Sequence, residues 1–337
     1  MIHDSVADVL HGEAFLELHG FTPEFSTFVK LEGMNPAGSI KLKTARCLLD
    51  SAEREGLVGS GQHLIESTSG NLGIALASLC AVKGYRITLV TDPNANQRSV
   101  RHMEALGADV VVVHERDANG GYLQTRIEYI RRRLQADPTL HWLNQYASPA
   151  NVLAHSTGTA GEILRGFGVP DWLFVGVGTS GTLMGCVEHF REAGAPTKIV
   201  AVDTEGSVTF GGPAGTRRIP GLGTSLRPQI FQDAGHFQKM LVPEPETIRT
   251  CRRVAREHGL LVGGSTGTVL AAVRAARDWI PPGSRVLAIA PDMGDRYLDT
   301  VYDDEWVTLR YGADALGGEP GPDSPDTPRV PALLSRP

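Results

Sequence analysis

Apolar residues in this chain alternate between two patterns. HLIES (63–67), RITLVTD (86–92) and DVVVVHE (109–115) are short, nearly continuous apolar runs, whereas NLGIALASLCAVKG (71–84), QRSVRHMEALG (97–107) and GGYLQTRIEYIRRRLQ (120–135) repeat at helical spacing. This predicts three strand–helix pairs. The pattern resumes with DWLFVGVG (171–178), SGTLMGCVEHFREAG (180–194), KIVAVD (198–203), helices over 245–259 and 266–280, and the strand RVLAIAPD (285–292). Short apolar strands between amphipathic helices predict an α/β fold with parallel sheets covered on both faces. Two such runs predict two lobes, with ligands bound in a cleft beyond the carboxyl ends of the strands. The boundaries expected are 36–147 for the smaller lobe and 1–35 with 148–311 for the larger. From 312 onward Pro, Gly and Asp dominate without periodicity, the composition of a disordered tail.

Composition narrows the class. A chain of 337 residues with a net charge of −6 is not built around nucleic acid. Its four cysteines (Cys47, Cys80, Cys186, Cys251) form no C-x-x-C pair, which fits a reducing compartment and no structural zinc. No apolar window reaches the length of a membrane span and the N-terminus lacks a leader pattern, so a soluble, cytoplasmic protein without metal is expected.

Candidate chemistry begins at NPAGSIKLKT (35–44). Pro36, Gly38 and Ser39 read as a turn into a helix, which places Lys41 in the first helical turn. A cation there opposes the helix dipole and loses its proton more readily, and a neutral amine is what a Schiff base requires. Three further small-residue turns each open a helix: ESTSGNLG (66–73), GVGTSGTLMG (176–185) and VGGSTGTVLAA (262–272). Clustered N–H groups at a helix start bind anions. Gly176-Val-Gly178-Thr-Ser-Gly181 also matches a dinucleotide fingerprint, with Asp203 ending the next strand, but that reading explains neither ESTSGNLG nor the lysine turn. A phosphate-bearing aldehyde explains all four. Lys41 supplies the amine, Gly178, Thr179, Ser180, Gly181 and Thr182 the phosphate cradle, Asn71 a donor to a ring oxygen, and Ser265 or Thr266 a hydroxyl at a ring nitrogen.

These motifs, with NQYASPAN (144–151) and TGTAGEI (157–163), resemble the fold-type II pyridoxal-phosphate enzymes, the group with a tryptophan synthase β-like fold that includes the cysteine synthases. The resemblance implies that Lys41 carries pyridoxal 5'-phosphate on a mobile smaller lobe and that Ser265 faces the ring nitrogen. It also implies that Thr68, Ser69, Gly70 and Gln145 bind the substrate carboxylate, and that the enzyme is a homodimer. Leu42 and Lys43 stand where cysteine synthases usually have Asp-Arg, so Lys43 is a second lysine to place.

Further stretches, LIESTSGNLGIALA (64–77), DANGGYLQTRI (117–127), WLNQYA (142–147), EGSVTFG (205–211) and PDMGDRYLD (291–299), resemble the branch that makes a 2,3-diaminopropionate precursor for siderophores and peptide antibiotics. That branch implies a β-replacement joining O-phospho-L-serine and L-glutamate. A cysteine synthase using O-acetylserine or O-phosphoserine with sulfide is the alternative. For phosphate departure Arg126 is the candidate cation. Tyr146 could hydrogen-bond either substrate, and Ser207 lies on a small polar loop that could line the second pocket. Asp295 and Arg296 are expected to pair with each other, and His155 to be a satisfied structural histidine.

Overall fold

The computed structural model describes residues 2–316 apart from 4, 10, 11 and 69. In chain order the elements are β1 (Phe15–Glu17), β2 (Ser26–Leu31), α1 (Lys41–Arg54), β3 (His63–Ser67), α2 (Asn71–Lys83), β4 (Arg86–Thr91), α3 (Gln97–Ala105), β5 (Asp109–Val112), α4 (Leu123–Ala136) and β6 (Leu140–Trp142). They continue with α5 (Pro149–Leu153), β7 (Trp172–Gly176), α6 (Gly181–Glu192), β8 (Lys198–Thr204), β9 (Gln238–Val242), α7 (Glu244–His258), α8 (Gly264–Ala275), β10 (Arg285–Ala290) and α9 (Asp304–Tyr311).

The strands form two sheets, ordered β1-β2-β10-β7-β8-β9 and β5-β4-β3-β6. Every pairing is parallel except β1 with β2. Successive residues of a strand face opposite sides of its sheet. In β7, Trp172 and Phe174 therefore join Val269 and Leu270 of α8 in one cluster, while Leu173 and Val175 join Leu183 and Phe190 of α6 in another. The smaller sheet repeats the device: Leu64 and Leu89 pack with α1, α2 and Met103, whereas Ile65 and Val90 pack against Ile130 of α4.

Strands β1, β2, β6 and β9 did not stand out in the hydrophobic pattern. Strand β2 lies inside the larger sheet, but its apolar run is broken by Lys30, which is fully buried and ion-paired to Glu32 and Glu162. Helix α8 ends at Ala275, short of the expected 280. Residues 312–316 are ordered rather than part of a tail: Ala313–Leu316 forms a 3-10 turn, and Arg249 Nη2 donates to Asp314 O at 3.1 Å. The rest of the expected tail, 317–337, lies outside the described residues. No helix among the described residues is long and apolar enough to cross a membrane.

Candidate active site

The carboxyl ends of β3, β4, β6, β7 and β10 border a cleft of about 620 Å³ between the two sheets. Lys41 reaches it from the first turn of α1. Asn35 shapes the approach, accepting from Ala37 N and donating to Glu32 O and Ser39 O, while Gly38 takes the left-handed conformation (φ 65°). Lys41 is partly open to the cleft, but burial of its amine lowers its pKa to about 8. Desolvation, which the sequence reading did not invoke, causes this shift.

Lys43, two residues on, points away from the cleft. It forms ion pairs with Glu32 at 2.7 Å and with Glu162, both of which also hold Lys30. His155 is buried in a π-helical turn (Ala154–Ala160) and bonded to Thr44 at 2.9 Å and Thr159 at 3.0 Å, a satisfied histidine. Burial and the neighbouring lysines drive its pKa well down, so the ring is neutral.

Gly178, Thr179, Ser180 and Thr182 line the cleft where β7 turns into α6. Ser180 sits at φ 73°, unusual for a residue with a Cβ, and its hydroxyl is buried without a partner. The backbone is packed too closely for larger residues: a Cβ on Gly178 would lie 2.8 Å from Gly221 O, and one on Gly181 would lie 2.2 Å from Asn151 Oδ1. Gly181 therefore packs on Asn151 at the helix start instead of lining the cleft. Asn151 in turn donates to Thr179 Oγ1 at 3.0 Å and to Gln145 O at 2.7 Å.

Asn71, at the start of α2, donates from Nδ2 to Asp292 Oδ2 at 2.8 Å and accepts through Oδ1 from Arg296 Nη1. Arg296 also donates to Ala37 O at 2.6 Å, so it braces the lysine turn and Asn71 together rather than pairing with the exposed Asp295. Burial pushes the Asp292 carboxyl pKa up, against hydrogen bonds from Tyr297 and Asn71 that pull it down. Ser265 lines the cleft under Gly221; a Cβ on that glycine would lie 2.3 Å from Ser265 Oγ. The Thr266 hydroxyl is buried without a partner, and Thr266 does not line the cleft.

Thr68, Gly70, Gln145 and Tyr146 share the opposite wall. Thr68 Oγ1 accepts from Gly70 N and Gly73 N, capping α2. Gln145 donates to Ser67 O at 2.8 Å. Behind it lies Glu66, a fully buried carboxylate not expected from sequence, which accepts from Ser67 N, Trp142 Nε1 and Gln145 N and is pushed by burial up to about 7. Ser69 lies outside the described residues.

Arg126 is buried in the cleft wall, 3.5 Å from Asp92 Oδ2, with Nε and Nη1 making no hydrogen bond. Burial raises the pKa of the Tyr146 phenol, opposed by the Arg126 charge. Ser207 is not in the cleft wall; its oxygen is engaged by Thr209 and by Thr224 N. Asp203 is buried beside it, outside the cleft wall, and accepts from Thr204 N. Seven arginines and Lys41 line the cleft against three aspartates, in a chain whose net charge is −6. The cleft suits anionic ligands.

A desolvated lysine facing an anion cradle with an unsatisfied hydroxyl, between two parallel sheets, fits a phosphate-bearing aldehyde cofactor and defines a lysine-based enzyme of that class. The chain belongs to the pyridoxal-phosphate dependent enzyme family, whose profile matches residues 10–292. It is 38% identical over 99% of its length, and 99% of the relative's, to the N-(2-amino-2-carboxyethyl)-L-glutamate synthase of Ralstonia nicotianae. Among solved structures it is similar to O-ureido-L-serine synthase (29% identity, TM-score 0.83, covering 91% of this chain and 100% of that one). It is also similar to an O-acetylserine dependent cystathionine beta-synthase from Helicobacter pylori (27% identity, TM-score 0.82, 89% and 98%). The fold is the two-sheet, fold-type II architecture of the cysteine synthase-like enzymes, and pyridoxal phosphate is the cofactor.

Proposed function

We propose that this enzyme performs a β-replacement, joining O-phospho-L-serine and L-glutamate to give N-(2-amino-2-carboxyethyl)-L-glutamate and phosphate, a 2,3-diaminopropionate precursor for a siderophore or peptide product. The observation that carries this reading is Arg126, a buried guanidinium in the wall of a cation-lined cleft, whose Nε and Nη1 make no hydrogen bond and whose Nε lies 3.5 Å from Asp92 Oδ2. A leaving phosphate would take up those donors bidentately, which an acetate leaving group needs less. The relative from Ralstonia supports the same reading.

When bound, pyridoxal phosphate supplies the electron sink that acidifies the α-proton of the amino-acid substrate and lets its β-substituent leave. Lys41, with its pKa near 8, would offer the neutral amine that captures the cofactor and, once displaced by the substrate's amine, would accept the α-proton and later return it. Gly178, Thr179, Ser180 and Thr182 would hold the phosphate at the start of α6, Asn71 would give its remaining N–H to the ring oxygen, and the uncharged Ser265 hydroxyl would face the ring nitrogen. Thr68, Ser69, Gly70 and Gln145 hold the substrate carboxylate, Arg126 and Tyr146 the β-phosphate end. In this reading the lobe 36–147 closes on the substrate, and the enzyme is a cytoplasmic homodimer.

The test is an absorbance scan of the holoenzyme mixed separately with O-phospho-L-serine and O-acetyl-L-serine, followed by L-glutamate and mass analysis of the product. A red-shifted band with phosphoserine and an adduct with glutamate is the expected result. A response to acetylserine alone, with product formed only from sulfide, would make the enzyme a cysteine synthase instead.

A further inference from the structure

The first five residues of the stretch 117–127 and the stretch 205–211 converge on two adjacent residues, Ser225 and Thr224. From the smaller-sheet side, Asp117 Oδ2 accepts from Ser225 Oγ at 2.8 Å and Asn119 Nδ2 donates to Ser225 O at 2.7 Å. Gly121 packs so closely that a Cβ would lie 2.5 Å from Ser225 Oγ. From the larger-sheet side, Ser207 Oγ accepts from Thr224 N at 3.1 Å and Thr209 Oγ1 bonds Thr224 Oγ1 at 2.9 Å. The loop 217–225 is thus clamped from both sides of the cleft.

That loop presents Arg217 to the cleft. The guanidinium rests on Gly223, where a Cβ would lie 2.7 Å from Nη1, and Nη1 makes a long 3.4 Å bond to Leu222 O. Its Nε is buried without a partner. Among the described residues, Arg126 and Arg217 are the two cleft arginines with buried, unpartnered N–H groups. The charges facing Arg217 are those of Asp203, Glu244 and Asp117. None of the three lines the cleft: Glu244 and Asp117 accept from Ile219 N and Ser225 Oγ, and Asp203 accepts from Thr204 N through Oδ1 while its buried Oδ2 makes no hydrogen bond. A guanidinium so placed leaves donor capacity unused at a desolvated position, and a carboxylate is the ligand that matches it in charge and geometry.

We propose that Arg217 binds a carboxylate of the amine-bearing co-substrate, which makes the clamped 217–225 loop the subsite that selects an acidic amino acid as acceptor. The inference rests on the two-substrate reading above. With Arg126 assigned to the phosphate, the two under-used guanidiniums match the two anionic substrates.

The test compares wild-type holoenzyme with Arg217→Met and Arg217→Lys. The spectral response to O-phospho-L-serine alone is expected to stay as in the wild type. The KM for L-glutamate is expected to rise roughly ten- to hundred-fold in Arg217→Met and less in Arg217→Lys. The preference for L-glutamate over L-glutamine should narrow in parallel. An unchanged KM for glutamate in Arg217→Met overturns the proposal. A wild-type enzyme that answers phosphoserine but accepts no amine overturns the two-substrate reading itself. Should Arg217→Met fail to fold, Ser225→Ala, which cuts the Asp117 side of the clamp, is expected to raise the glutamate KM about two- to five-fold with the phosphoserine response intact; no rise there counts against the subsite.

Discussion

Asn71 Nδ2 donates to Asp292 Oδ2 at 2.8 Å across 221 residues of chain, and Tyr297 OH donates to the same oxygen at 2.7 Å. With Arg296 on the amide oxygen, Asn71 is held in one orientation, leaving a single N–H for the cofactor. Asp292→Ala would strand the half-buried Asn71 and the buried Tyr297 donors. The expected result is a loss of about 1–3 kcal/mol of stability and weaker capture of pyridoxal phosphate. Asp292→Asn, which keeps an acceptor oxygen, should lose less. Urea unfolding and fluorescence titration of the apoenzyme measure the two effects, and an Ala variant matching wild type in both would refute the bracket.

Lys41 gives a pH signature. Its ordinary pKa of 10.5 is lowered to about 8 by burial, and only the neutral amine attacks an aldehyde. Cofactor capture by the apoenzyme should accelerate as pH rises from 6, reach about half its plateau near 8 and level off about one pH unit higher. A rise continuing to pH 10 would show an amine with an unshifted pKa. Lys41→Ala should abolish covalent capture and turnover together.

Lys43 sits with Lys30, Glu32 and Glu162 in a charge-balanced buried quartet. Removing one member of a buried ion pair leaves its partner's charge uncompensated, at a cost of about 3–5 kcal/mol. Lys43→Met should therefore lower the urea midpoint markedly yet still attach the cofactor. Borohydride reduction and peptide mass mapping should place the label on Lys41 in wild type and variant alike, and a label on Lys43 would reverse the two assignments.

Arg126→Met removes the buried guanidinium assigned to phosphate. The KM for O-phospho-L-serine is expected to rise by roughly ten- to hundred-fold, the effect of losing hydrogen bonds to a charged group, while cofactor affinity holds. Steady-state kinetics with phosphoserine varied at saturating acceptor reads this directly. A variant with wild-type KM for phosphoserine would leave Arg126 as a structural partner of Asp92.

The sequence alone determined the strand–helix alternation, the parallel sheets it entails, and the four small-residue turns, because each depends on local periodicity and backbone permissiveness. Lys41, Asn71, Thr179, Ser180 and Ser265, which the fold brings to one cleft, stood out as candidates for that reason: each sits in or beside a turn whose composition announces its conformation. Tertiary structure decided everything that depends on which distant residues meet. Pattern reading passed over β2, since a lysine interrupts its apolar run and the two glutamates that neutralise Lys30 include one 132 residues away. Ser207 looked like a pocket residue by polarity, but its hydroxyl is used to hold Thr224. Arg296 looked like a partner for its neighbour Asp295 and instead spans from Ala37 to Asn71. Local spacing specifies where a side chain starts; only packing fixes which charges it meets and how much water it keeps, and those two quantities set the Lys41 pKa and the free valences of Arg126 and Arg217.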